Sequence, residues 1–520
     1  MSLAPSAVSY RTIFRDFLDT NIYKAHTPML SFPYEIVASI AEAYVLNDYS
    51  VFQIAGGLPP QLVLMAVCRN WKSVCTSHPS LWTRICIDIL PANPTATTDA
   101  SIWKRFAAVC QDALTWSKSL PLDLKFDRWH LSNKVYQTVI KTGYDGQVFD
   151  STTLAIKIMQ FSIQQSSRWR SFTMQSIDHM IPETPGIPWS DLVNVTNRVP
   201  KLETLCFDHF CEVNPSDANE HRPWNKYMDT FLDAPSLGVA TFAVGLNSLN
   251  LPWAQLTKID ILTGGYLDLQ RHGDYFDTIM RHTTASTVSW GDNFYGIRYG
   301  AFAPRPSMVI ENPHIVKLNI PPVLLPPLLL PNLTNLEFYI SEKHVDTVSQ
   351  IVLLLKDSSC RLLNLTINQW RDPWDSGDIY SFVHLLPYLD SLQSLTWNAS
   401  LVDMDIMIEL LEGLRVILGA NDPVELPNLT TLVINCRQSY AQDCYHTCDL
   451  DSPEARAVWG IVQTRMLGWP VVKLEKFQIT VRKNKENPLP MTTSSKAFEE
   501  SEEGKNIKAS GVDFELHLPV

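Results

Sequence analysis

Apolar side chains in residues 62–75 fall at Leu64, Val67, Cys68, Trp71, Val74 and Cys75. Their spacing of three, four and seven puts them on one stripe of a helix, not on the alternating face of a strand. His78-Pro79 ends that helix, because the residue before a proline is pushed out of helical geometry. Upstream, "SFPYEIVASIAEAY" predicts a second helix. Ser31 is its N-cap, Pro33 lies in its first turn, and Ile36, Val37, Ile40, Ala43 and Tyr44 form its stripe. "LPPQL" at 58–62, beside Gly56-Gly57, reads as the loop leading into the later helix. Two short helices closed by Leu81-Trp82 make a very small core, stable only when packed on something else.

Beyond residue 110 the period changes. A phrase built on an apolar residue and Leu-x-x-Leu-x-Leu recurs as "LPLDLKF" from Leu120, "RWRSFTM" from Arg168 and "VPKLETLCF" from Val199. It continues as "LPWAQLTKIDIL" from Leu251, "IVKLNI" from Ile315, "LPNLTNLEFYI" from Leu330 and "CRLLNLTI" from Cys360. The last occurrences are "LPYLDSLQSLTW" from Leu386, "LPNLTTLVI" from Leu426 and "VKLEKFQIT" from Val472. Each alternates apolar and polar residues, so each predicts a strand with one buried face. Helix-compatible stretches such as "STTLAIKIMQFSIQQ" and "MDIMIELLEGLRVIL" lie between them. Strand and helix alternating at roughly twenty to forty-five residues predict an α/β leucine-rich-repeat solenoid with a parallel sheet on its concave face. The spacing is irregular and no asparagine recurs at a fixed place, so the array is degenerate. One unit cannot bury both its faces, whereas stacked units can.

The N-terminal phrases carry a resemblance. "FPYEIVASIAEAY" followed by "LVLMAVCRNWKSVCTSHPSLW" resembles the F-box, a helical module that binds a Skp-type adaptor of cullin-RING ubiquitin ligases. The family pattern is a Leu-Pro-Pro-Glu helix, then Val-Cys-Arg-x-Trp, then Leu-Trp after a proline. Phe32, Pro33 and Glu35 match the first part, with Phe32 in place of Leu and Tyr34 in place of Pro. Val67, Cys68, Arg69, Trp71, Leu81 and Trp82 match the rest. The resemblance implies adaptor contacts at Phe32, Pro33, Ile36, Ile40, Val67, Cys68, Trp71, Leu81 and Trp82, and a cullin reached through the adaptor. "FLDAPSLGVATF", "NLPWAQLTKIDI", "SSRWRSFTM" and "LLLKDSSCRLLNLTI" are similar to the expanded basidiomycete fungal F-box proteins with a divergent repeat domain. The organisation expected is an extension over 1–30, an F-box-like helical module over 31–90, the solenoid over 91–480 and a charged tail over 481–520. The terminal "VDFELHLPV" alternates and is compatible with a returning strand.

Bulk properties narrow the partners. A net charge of -12 argues against general nucleic-acid binding, which wants a basic surface. "IPPVLLPPLLLP" is too short and too rich in proline to span a membrane, which takes about 20 apolar residues. Ten irregularly spaced cysteines in a chain this long read as reduced thiols, which places the protein in the cytoplasm or nucleus.

Candidate chemistry is sparse. Cys436, Cys444, His446 and Cys448 cluster without the paired short spacing that zinc prefers. No phosphate-binding glycine loop, serine elbow or His-Glu-x-x-His occurs, so neither a cofactor nor an enzyme is expected. Aromatic and arginine residues in loops are the material of binding hot spots, and they occur here as Trp290 and Tyr295, and as Trp370, Arg371 and Trp374. The expectation is a ubiquitin-ligase substrate receptor holding an unknown target protein on the solenoid. The alternative is a non-catalytic scaffold whose N-terminal helices merely cap the array.

Overall fold

The computed structural model describes residues 32–45, 49–53, 58–88, 100–129, 151–176, 189–208, 229–243, 249–262, 269–290, 309–320, 327–341, 347–370, 385–399, 426–437, 475–482, 505, 509 and 513–517. The chain forms two compact units, one of residues 1–267 with 292–298, the other of 268–291 with 299–520.

The first unit begins with helices α1 (Tyr34–Val45), α2 (Pro60–Met65) and α3 (Arg69–Ser77), with strand β1 (Ser50–Gln53) between α1 and α2. A 3-10 turn, Pro79–Trp82, leads into β2 (Arg84–Asp88). Then follow α4 (Ala100–Trp116), β3 (Leu122–Trp129), α5 (Ser151–Gln164), β4 (Trp169–Ser176), β5 (Thr204–Asp208), β6 (Val239–Ala243) and β7 (Lys258–Leu262). Strands β1 to β7 pair in parallel, each with the next in sequence. Their inward residues include Ile85, Leu124, Phe126, Phe172, Phe207 and Phe242, all buried. Phe126 and Phe172 lie 5.9 Å apart, and Phe172 and Phe207 6.0 Å, so aromatic contact continues from repeat to repeat.

The second unit contains α6 (Leu269–His282) and α7 (Thr347–Ser358). Its strands β8 (Thr287–Trp290), β10 (Lys317–Ile320), β12 (Asn335–Ser341), β13 (Asn364–Trp370), β14 (Ser394–Ala399), β15 (Thr431–Arg437), β16 (Lys476–Arg482) and β17 (Asp513–His517) pair in parallel in that order. Strands β9 (Ile310–Glu311) and β11 (Leu328–Leu329) form a separate parallel pair. All ten phrases read from the sequence are strands, and the architecture is the expected parallel α/β solenoid.

The repeat has a recognisable entry. Leu386, Leu389, Leu392 and Leu395 recur every three residues and are all buried, with Leu389 N–H donating to Leu386 and Leu392 N–H to Leu389. At several strand starts two consecutive N–H groups then grip one carbonyl of the preceding repeat. Gln393 and Ser394 take Leu363 O, and Thr430 and Thr431 take Gln393 O. A polar side chain in the entry turn adds a third tie. Asn332 donates to Pro313 O, Asn428 to Asp390 O, Ser236 to Pro200 O and Ser391 to Leu362 O. The array therefore does carry a recurrent position, filled by either asparagine or serine, where sequence reading found no fixed asparagine.

Several expectations change. The helix read across 62–75 is two helices, and α2 starts at Pro60, inside the supposed loop. Cys68 is extended (φ -166°, ψ 175°) and its carbonyl accepts Lys72 N–H as α3 begins. The apolar stripe keeps its phase across the break, which hides the break from periodicity. Pro33 precedes α1, its carbonyl accepting Ile36 and Val37 N–H, while Ser31 lies outside the described residues. Strands β1, β2, β6 and β8 were not anticipated. The terminal segment does return as a strand, β17 against β16, and β16 itself runs past the tail boundary placed at 481. The second helix-compatible stretch, 404–418, lies outside the described residues.

Candidate functional site

Helices α1, α2 and α3 and the 3-10 turn pack on one another. The inward side of α1 is Val37, Ala38, Ala41 and Val45. Small side chains let a helix come close, but they bury little apolar surface, so polar ties complete the attachment. His78 Nε2 lies 2.6 Å from Glu42 Oε1, and Ser80 Oγ donates to the same oxygen at 3.1 Å. The other ring nitrogen of His78 is 3.2 Å from the Tyr34 hydroxyl, and Asn70 Nδ2 donates to Phe32 O. The hydrogen bond from His78 holds the Glu42 carboxyl below its usual range, against a smaller opposing effect of burial. A second lock sits opposite. Gln61, fully buried, donates through Nε2 to Ser50 Oγ and to Leu81 O at 2.6 Å, joining β1, α2 and the turn.

The outward side of α1 is apolar. Ile36 (47% exposed) and Tyr44 (59% exposed) stand two steps of four residues apart, with half-buried Ile40 between them, a single line along the helix. Tyr34 on α1 and Val63 on α2 are also exposed. The stripe expected to face the core is thus divided: Val37 points in, whereas Ile36, Ala43 and Tyr44 face solvent.

The expected adaptor residues separate in the same way. Phe32 is half-buried, Pro33 and Ile36 are exposed, and Ile40, Val67 and Cys68 are half-buried. Trp71, Leu81 and Trp82 are buried within this chain, which corrects their placement as partner contacts. Trp82 Nε1 donates to Cys75 O, seven residues earlier at the end of α3, and its ring lies 4.6 Å from Trp116 on α4. Trp169 repeats the arrangement one unit later, its Nε1 donating to Ser162 O, again seven residues back, at the end of α5. Helix α3, its turn and β2 are therefore built like a repeat of the array. The positioning residues Gln61, Glu42 and His78 were missed by sequence reading, because a polar residue between apolar ones gives no sign of its partner.

The aromatic candidates fare differently. Trp290 ends β8 and is buried, its ring 5.4 Å from Phe276, so it belongs to the core and not to a binding loop. Trp370 ends β13, while Tyr295, Arg371 and Trp374 lie outside the described residues. Cys436 is on β15, and Cys444, His446 and Cys448 lie outside the described residues. Among the described residues no group of three metal-ligating side chains occurs, and no helix is long and apolar enough to cross a membrane. Cys68, Cys75, Cys86, Cys110, Cys206 and Cys360 form no disulfide; burial pushes Cys75 up to about 11 and Cys110 higher still.

Residues 50–88 match the F-box-like family model. The match takes in β1, α2, α3, the turn and β2, and starts after α1. No characterised protein matches the chain. Among solved structures, a crystal structure of a Bacteroides fragilis protein is similar, at 16% identity over 51% of this chain and 66% of that one, with a TM-score of 0.29. That likeness is too slight to bear on function.

Proposed function

We propose that the protein is a substrate receptor of an SCF-type ubiquitin ligase, docking a Skp-type adaptor, and through it a cullin, on the outer face of α1 and α2. The observation that carries this reading is the apolar line Ile36–Ile40–Tyr44 left open to solvent beside an F-box-like segment. A helix buried on a face of alanine and valine while presenting isoleucine and tyrosine outward is sided for a partner. The solenoid then holds a target protein, and the receptor contributes proximity instead of bond chemistry: a target lysine kept near the charged conjugating enzyme reacts at high effective concentration. Such a protein works in the cytoplasm or nucleus. The scaffold reading has support in the repeat-like build of α3 to β2, which caps the array whether or not an adaptor binds. Co-purification of the intact chain with a Skp-type adaptor tests the choice. Ile36→Asp with Tyr44→Asp is expected to abolish capture, and capture undiminished by that pair rules out this docking face.

A further inference from the structure

On the second unit's strands the residues alternating with the core leucines form a polar face, and its hydrogen bonds have a direction. Asn435 Nδ2 donates to Asn398 Oδ1, Asn398 Nδ2 to Asn368 Oδ1, and Asn368 Nδ2 to Glu337 Oε1, at 2.7–2.8 Å. Each link crosses between neighbouring strands of β12 to β15. The ladder thus turns donor ends toward one carboxylate, which also lies 3.5 Å from the Tyr339 hydroxyl. Chains of hydrogen bonds polarise one another, so the amides fix Glu337 without neutralising it.

No cation meets Glu337 among the described residues. Directly opposite it in register, on β10, is Asn319, whose neighbours Leu318 and Ile320 turn to the core, so Asn319 shares the face of Glu337. Asn319 is 7% exposed and its Oδ1 meets no donor. The buried Asn319 amide oxygen, beside a half-buried carboxylate that already accepts from Asn368 and Tyr339, is costly until a donor reaches it. Lys317, on the same face of β10, makes no ion pair with Glu337.

We infer that Glu337, with the Asn319 amide turned to bring its buried oxygen outward, anchors one arginine side chain of a target polypeptide laid on this polar face. Arginine suits the pair better than lysine, since its planar fork serves two acceptors at once, whereas an ammonium is a point charge. The inference rests on the receptor reading and names the chemistry by which the target is chosen.

The test uses the intact protein on immobilised twelve-residue peptides with randomised flanks and arginine, lysine or citrulline at the centre. Arginine peptides are expected to be retained at least tenfold over citrulline ones, and Glu337→Gln is expected to bring them to the citrulline level. Asn319→Asp, which adds a second carboxylate, is expected to raise arginine retention. That gain keeps the test valid if Glu337→Gln lowers the melting temperature, because misfolding cannot produce it. Equal retention of arginine and citrulline peptides, or of arginine and lysine peptides, or no retention of any, would overturn the inference. Adaptor co-purification is run on the same preparations. Adaptor binding without an arginine preference defeats only the anchor; loss of adaptor binding by the unaltered protein defeats the receptor reading itself.

Discussion

Trp82→Phe and Ile36→Asp separate packing from docking. Trp82 is fully buried, donates to Cys75 O at 2.7 Å and touches Trp116. Phenylalanine keeps an aromatic ring but loses the N–H, stranding a carbonyl at the end of α3 at a cost of about 1–2 kcal/mol. It also leaves roughly 40 Å³ unfilled, which at about 24 cal/mol per Å³ adds about 1 kcal/mol. The sum is about 2–3 kcal/mol, felt in α3, β2 and the elements they pack against. Ile36 is 47% exposed, so Ile36→Asp should alter stability by no more than about 0.5 kcal/mol. Hydrogen exchange of the β2 amides reads stability where it is lost, and adaptor capture in the cold reads docking. Trp82→Phe should speed exchange roughly thirtyfold or more while the folded fraction still captures adaptor, and Ile36→Asp should do the reverse. If Trp82→Phe left exchange unchanged and abolished capture, the tryptophan would be a contact and the account of its burial would be wrong.

Three further outcomes follow from the same geometry. The Glu42 carboxyl is held below its ordinary value of 4.5, so its contribution is present above the unfolded value and is lost as pH falls through the lower folded one; proteolytic cleavage at α1 should rise over that window, and Glu42→Gln should flatten the dependence. Asn398→Ala breaks the amide ladder in its middle, leaving Asn368 Oδ1 and Asn435 Nδ2 without their partner, and should cost about 1–3 kcal/mol in denaturant unfolding of the second unit. A fragment of residues 31–90 should show no cooperative thermal transition by circular dichroism, because β2 loses its pairing with β3 and Trp82 loses Trp116, while a fragment extended through β7 should regain one.

What the sequence disclosed depended on whether a pattern had one physical meaning. Alternation of leucine with polar residues permits little but a half-buried strand, and "LPNLTNLEFYI" and "LPNLTTLVI" are such strands. Strand β8 alternates as well, Val288 and Trp290 inward, but a tryptophan near glycine suggested a loop. On α1 the periodicity located apolar residues without saying which way they point. The larger side chains Ile36 and Tyr44 went outward because Ala38 and Ala41 offer the closer approach. The Val67–Trp71–Trp82 phrase lies inside the F-box-like match at 50–88 and the Phe32–Pro33–Glu35 phrase precedes it, and Trp71 and Trp82 are core. The Glu42–His78 and Glu337–Asn368 pairs join residues 36 and 31 positions apart, and no local pattern announces a contact at that range.

Because Trp82 and Trp169 hold their helices in the same manner, and β2 is hydrogen-bonded along its length to β3, no hinge separates the leading helices from the first strands of the array. A tether with slack would let a captured cargo sample many orientations. Helices α1 to α3 and the strands behind them turn as one piece, so an adaptor seated on α1, as proposed, would set the direction in which β2 to β7 point.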